Sequence, residues 1–483
     1  KRLLLGLMLA VFLGALEQTV VAAALPAIVR DLHRFDLMGW TVSAYLLATA
    51  VATPVIGKLS DLHGRRRLLH ACMAIFALGS LLCAAAPGMA ALIAARAVQG
   101  IGGAGLIVVA QAAVAELAGP QQRSRYAGYF AMVWAVAGLI GPLLGGALSD
   151  WLGWRSIFWI NLPLTALTLA IAAPGLRRLG AGGGAGRIDL AATALFAVAT
   201  CAFLLALSWG GAIHPWTSPP VLIAFAVSLA SLTAFALRQR RSAEPLIAPQ
   251  WLRHPVIAPA LAVSLLLYGF YIAVAVLMPA YYQLGFGLPA AHAGWLLIPA
   301  LVACACSALL GGRHAARTGD YRGPVLCGLA LASLALLLLG LFAARIDAGI
   351  ACLLLAALGF GVGPCTAIVN VVAQNAAPTS QLGAMTGAMA LTRTLGAATV
   401  VAAGSALIVA HIQHGGAIGA LDLSELASRE LSAPMRRTVR EAFGGLFLAA
   451  SAGMFAALLA FVSIRSARLR PDLDGVRAAP AET

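Results

Sequence analysis

An all-α membrane protein crossing the bilayer fourteen times is the fold this sequence predicts, and three observations predict it. Apolar runs of about 18 residues or more, long enough for a helix to span hydrocarbon, recur along the whole chain. Of the 483 residues, 61% are hydrophobic and 10% charged, against about 25% charged in soluble domains. The basic residues gather in alternate breaks between the runs, as they do where Lys and Arg mark one face of a membrane.

A helix rising 1.5 Å per residue needs about 20 residues to cross a ~30 Å core. Read between charged or Gly/Pro-rich breaks, the spans fall at 3–28, 39–57, 68–87, 89–115, 126–149, 155–176, 189–209, 220–238, 256–280, 292–312, 324–343, 349–373, 383–410 and 442–464. Span 1 follows Lys1-Arg2 as a signal peptide would, but its run is too long for one and thirteen others follow. The chain opens on Lys rather than Met, so a short native leader is expected before it.

The Gly-rich basic segment LRRLGAGGGAGRID (176–189) reads as a flexible linker after span 6, and RQRRSAEPLIAPQWLRHP (238–255) breaks the chain again after span 8. These breaks predict an N-terminal six-helix bundle at 1–176, a linker with two extra helices at 177–255, and a C-terminal six-helix bundle at 256–483. Equal blocks suggest two related halves around a central pathway. The segments after spans 2 and 10, GKLSDLHGRRRLL (57–69) and GGRHAARTGDYRGPVL (311–326), share an order of Gly, then a base, then an acid near Arg. The outer loop 411–441 has an amphipathic pattern that predicts a partly helical cap.

With the N-terminus inside, 22 of the 32 Lys and Arg residues fall on the cytoplasmic side and 8 outside, while Arg96 and Arg393 lie within spans. Both termini are therefore expected in the cytoplasm. The net charge of +15 then orients the chain and meets lipid headgroups, with no nucleic acid required. Eight cysteines (72, 83, 201, 304, 306, 327, 352, 365) fall in apolar stretches and are expected as small core residues, without disulfide or metal. The histidines have no metal-ligand spacing, and no Ser-His-Asp set or phosphate-cradling loop appears, which argues against an enzyme or an ATP-driven pump.

Glu17 is the only carboxylate placed mid-span. An ionised acid there costs about 2.5–3.5 kcal/mol on insertion scales, unless it pairs with a cation or takes a proton. Counted from its span's inner end, Glu17 lies ~21 Å in, and Arg96 lies ~12 Å from the outer end of span 4. Across ~30 Å these depths nearly coincide, so the two can pair. A nearby cation favours the ionised acid and loss of water favours the neutral one, so protonation can switch with conformation.

In GKLSDLHGRRRLL, Gly57 and Gly64 permit close approach and a tight turn, and Asp61 can cap a helix end or pair with Arg65. The string resembles motif A of the major facilitator superfamily at Gly57, Asp61, Gly64, Arg65 and Arg66, with Leu62 where a base is usual. LEQTVVAAALP (16–26) is similar to the first-helix signature of that family's fourteen-span drug:proton antiporter branch, with Glu17 in place of Asp. RAVQGIGGAG (96–105) resembles motif B, and AGLIGPLLGG (137–146) resembles the antiporter motif at Gly141, Pro142, Gly145 and Gly146.

The resemblance implies a major facilitator fold in a bacterial cytoplasmic (inner) membrane that works by alternating access in multidrug efflux. It further implies a monomer without cofactor, driven by a proton gradient; independently, the matched depths suggest that Glu17 exchanges a proton for substrate, with Arg96 tuning it. Tyr45, Gln99, Gln111, Trp134, Asn161, Tyr268, Tyr271, Asn370 and Gln374 are candidates for a substrate cavity. Aromatic rings and one acid would suit lipophilic cations. Arg393, in GAMTGAMALTRTLG (383–396), is expected to bond carbonyls, with substrate contact as the alternative. Competing readings are export of a lipid, siderophore or other amphiphile, and a membrane sensor that transports nothing.

Overall fold

The computed structural model describes residues 2–33, 37–176, 189–211, 214–242, 245–414 and 432–464. Fourteen helices among them are long and apolar enough to cross a membrane. The spans are carried by α1 Arg2–Leu32, α2 Met38–His63, α3 Arg65–Ala84, α4 Met89–Leu117, α5 Pro120–Leu152, α6 Asn161–Leu176, whose span begins in the turn before it at Ser156, and α7 Leu190–Trp209. The chain continues through α8 Pro219–Gln239, α9 Ile257–Phe286, α10 Ile298–Thr318, α11 Arg322–Phe342, α12 Ala348–Ala376, α13 Leu382–His414 and α14 Ala433–Val462. Short helical turns, Ser156–Trp159 and Ala290–Trp295, precede α6 and α10.

Several helices overrun the apolar spans. Hydropathy marks where hydrocarbon ends, whereas a helix ends where its backbone is broken. α2 therefore continues through the polar GKLSDLH string to His63, and only Gly64, at φ 88°, turns the chain into α3. Gly287 and Gly319 stop α9 and α10 in the same left-handed region, at φ 71° and 72°. The segment after span 2 is thus mostly helix rather than loop. Residues 433–441 of the expected cap are the first turns of α14, while 415–431 lie outside the described residues.

Buried apolar side chains collect in separate clusters. Two draw on residues 7–176 and one on residues 248–464. The two sets touch where α2 packs on α13 and where α5 packs on α10 and α12. α7 and α8 pack on each other, and α7 lies against both α2 and α13. Phe196, Phe235, Leu246 and Leu391 form a fourth cluster there, with Val55 and Leu395 against it. The extra helix pair thus covers a seam between the two larger sets. Leu143, Leu222, Ile223, Leu229 and Leu353 stand exposed on the outside, as side chains meeting lipid do. Cys306 and Cys327 are also exposed, contrary to the expectation of eight core cysteines; Cys72, Cys83 and Cys365 are buried. A thiol is small and apolar enough for either setting.

Candidate functional site

Four helices converge on Glu17. The Arg96 guanidinium on α4 donates through Nη1 to Glu17 Oε1, and Asn161 at the start of α6 donates to Oε2 at 2.6 Å. Arg96 also donates to Gln99 Oε1 at 2.7 Å and to the Thr41 carbonyl at 3.1 Å. Ser80 on α3 closes the network, accepting from Gln99 at 2.7 Å and from Asn161 at 2.8 Å. The Arg96 guanidinium lies 4.3 Å from the centroid of the Tyr45 ring. Glu17 and Arg96 side chains are each 1% exposed. Such a pair withstands burial only because both carboxylate oxygens and most guanidinium donors are engaged.

Depth arithmetic brings Glu17 and Arg96 together, but Tyr45, Gln99 and Asn161 prove to be walls of this sealed cluster rather than of the cavity. Gln99 is three residues from Arg96 on one helix face, a spacing that signals its role. Asn161 and Ser80 reach the cluster only through tertiary packing, which no local spacing reports.

The antiporter-like glycines sit beside the same acid. A Cβ on Gly141 would strike the Thr19 side chain, and one on Gly145 would strike the Val20 carbonyl. They let α5 close on α1 one turn beyond Glu17, where Thr19 donates to the Ala137 carbonyl at 3.1 Å. Gly146 differs: a Cβ there would meet nothing within 4 Å. Pro142 lies inside α5 and is exposed.

At the other end of α2, Asp61 reaches across to α13. Its carboxylate accepts from the backbone N–H of Gly383 at 2.9 Å and of Ala384 at 2.7 Å, at the positive N-terminus of that helix. Arg65 pairs with Asp61, donates to Ser60 Oγ, and pairs with Glu116 at 3.2 Å. Glu116, on α4, is thus a partner of Arg65 although a third of its side chain stays exposed. Gly57 makes the crossing possible, since a Cβ there would hit the Gly383 carbonyl. Gly64 supplies the turn, and Arg66 points outward. Nearby, Arg123 on α5 donates to Asn375 on α12 at 2.7 Å. In the similar segment after α10, Asp320 instead accepts from the N–H groups of Arg322 and Gly323 at 2.9 and 3.3 Å.

Between these features lies a cavity of about 1530 Å³. Gln111, Trp134, Tyr268, Tyr271, Asn370, Gln374 and Arg393 line it, as do Gln18, Trp40, Trp209, Trp216 and Arg123, which sequence reasoning passed over. Gln18 follows Glu17 directly, which was a usable signal; the tryptophans stand near span ends and read only as interface anchors. No carboxylate lines the cavity among the described residues. Arg393 lies 5.1 Å from the Tyr268 ring centroid, with Nη1 3.5 Å from its hydroxyl. Its contacts are therefore with a cavity aromatic, in place of the expected carbonyl-bonding role. Gln374 donates to Thr386 at 2.9 Å, while Gln111 Oε1 and Asn370 Oδ1 are buried without a partner.

The profile of the Major Facilitator Superfamily matches residues 7–401. An uncharacterized MFS-type transporter of Mycobacterium tuberculosis is 31% identical over 457 residues, which cover 92% of this chain and 66% of that protein. Multidrug resistance protein 3 of Bacillus subtilis is 32% identical over 312 residues, 65% of this chain and 61% of its own. The chain thus spans under two thirds of both relatives. Multidrug transporter protein MdtP of Bacillus subtilis is 30% identical over 403 residues, 82% of this chain and 73% of its own. The crystal structure of the human organic anion transporter MFSD10 superposes with a TM-score of 0.63 at 18% identity, covering 94% of this chain and 99% of that one. That likeness speaks for the fold alone. On profile, relatives and architecture together, this chain, with fourteen spanning helices among its described residues, belongs to the major facilitator superfamily of transporters, among relatives named as multidrug resistance and multidrug transporter proteins.

Proposed function

We propose that this transporter is a proton-coupled antiporter that exports lipophilic small molecules by alternating access. The observation that carries the reading is Glu17: a carboxylate fully enclosed in hydrocarbon-depth packing, held by Arg96 and Asn161, and one residue from the cavity-lining Gln18. Protonating Glu17 removes the negative charge that Arg96 faces, so the cluster must rearrange or recruit another partner. Thr19 and Val20, packed on Gly141 and Gly145, pass that rearrangement to α5. Proton binding and helix packing are then linked through one helix turn.

The Asp61 end would be cytoplasmic, given the basic residues around it. Its contacts from α2 to α13 and from Arg123 to Asn375 close that side, while the cavity runs toward Trp40 and Trp209 at the opposite helix ends. The conformation is accordingly read as closed inward. Releasing the Asp61 clasp would let the two helix sets rock about the cavity.

The direct test is purified protein in liposomes carrying a pH gradient. Lipophilic substrate should accumulate on the acidic side, and collapsing the gradient with nigericin should abolish accumulation. Accumulation that persists without any proton gradient would exclude this reading.

A further inference from the structure

We infer that the cavity is a binding site for lipophilic anions, an aromatic body bearing a carboxylate, sulfonate or phosphate group, with the acid group seated on Arg393. The inference rests on the reading of this cavity as the transport site. It departs from the cationic cargo that aromatic rings and a mid-span acid suggest, because Glu17 is not in the cavity wall and is already neutralised by Arg96.

The lining residues include Arg123 and Arg393 and, among the described residues, no Asp or Glu. Arg123 is held by Asn375 and the Ala118 carbonyl. Arg393 is half-buried near the middle of α13, and no carboxylate among the described residues pairs with it. A guanidinium has five donors in a fixed fork matched to two oxygens of an acid group. Arg393 directs one at 3.5 Å to the Tyr268 hydroxyl and holds its guanidinium carbon 5.1 Å from the centroid of that ring, contacts that position the fork without neutralising it. A cation so placed, at membrane depth and without a counter-ion, gains most from a ligand that brings one.

The amides agree. Gln111 and Asn370 each stand six residues before the end of a 29-residue helix, one in α4 and the other in α12. Each has a buried oxygen without a partner. A primary amide can turn its N–H donors or its oxygen to a ligand's polar atoms. Trp134 and Tyr271 supply faces for an aromatic body.

The test compares three isosteres, 2-naphthoate, 2-naphthamide and 2-naphthylmethylammonium, binding to the full chain in nanodiscs at neutral pH. The carboxylate should bind at least about tenfold tighter than the ammonium compound. Arg393→Gln should erase that preference, and Arg393→Lys should keep most of it. An ammonium compound that binds as well as the carboxylate, an Arg393→Gln variant with unchanged carboxylate affinity, or no binding of any isostere would overturn the inference. Should the Gln variant fail to fold, the wild-type ranking and the Lys variant decide. Binding is read without a proton gradient, so its failure leaves proton-coupled export standing. Conversely, loss of proton coupling in liposomes with the carboxylate preference intact would leave the anion site standing.

Discussion

Arg96 and Arg393 both lie deep within spans, and their surroundings differ completely. Arg96 is enclosed by Glu17, Gln99, the Thr41 carbonyl and the Tyr45 ring, with its side chain 1% exposed. Arg393 lies on the cavity wall with Tyr268 beneath it and no acid among the described residues. Charge at membrane depth is thus met in two ways among the described residues, by a buried acid at Arg96 and by an aromatic ring alone at Arg393. A compensated pair is suited to holding or releasing a proton, and an uncompensated cation is suited to a charged ligand.

The largest expected effect breaks that contrast directly. Arg96→Leu strands Glu17 as a buried unpaired acid and should cost about 3–5 kcal/mol, whereas Arg393→Leu should cost about 1 kcal/mol or less. Thermal unfolding in detergent measures both, and equal losses would erase the distinction. Next comes the helix contact beside Glu17. Gly141→Ala should cost about 1–3 kcal/mol through collision with Thr19, while Gly146→Ala, facing open space, should be close to neutral. The same unfolding assay separates them.

Asp61→Asn removes the charge from the α13 N-terminus and the ion pair with Arg65, with a smaller cost of about 1–2 kcal/mol. Hydrogen exchange at residues 382–386 should speed up, and unchanged protection would show that the clasp does not hold the two sets together. The smallest effect lies at the opposite end. Asp31, beyond the membrane-crossing part of α1, accepts from Trp154 at 2.9 Å and Arg155 at 2.7 Å. These bonds hold its carboxyl below the usual carboxylate range. A depressed folded-state value stabilises above the unfolded one, so that contribution is present at neutral pH and lost as pH falls through the folded value. Asp31 is half exposed, so Asp31→Asn should cost under about 1 kcal/mol at pH 7, and nothing in strong acid. A cost independent of pH would place the effect elsewhere.

The spans were legible because hydrocarbon demands long apolar runs, whatever the tertiary structure. The Glu17–Arg96 pairing was legible because rise per residue converts sequence position into depth. Helix ends were less so: α2 runs to Gly64 because backbone conformation, not polarity, stops it. Azimuth was the other gap. Tyr45 and Asn161 lie at depths suitable for a cavity, yet they face the Arg96 cluster, and only packing of α2 and α6 decides that. Glu116 likewise meets Arg65 across two helices, from a position that reads as a solvated span end. Trp209 and Trp216 reach the cavity because α7 covers the seam between α2 and α13, a placement no spacing within 177–255 encodes.

Glu17 is proposed to carry the exchanged proton. Glu17→Gln keeps the shape of the side chain and its capacity to accept from Arg96 while fixing it in an uncharged form. In liposomes, this variant should retain exchange of labelled for unlabelled substrate at equilibrium but lose all accumulation driven by a pH gradient. Accumulation equal to that of the wild-type protein under the same gradient would contradict the account.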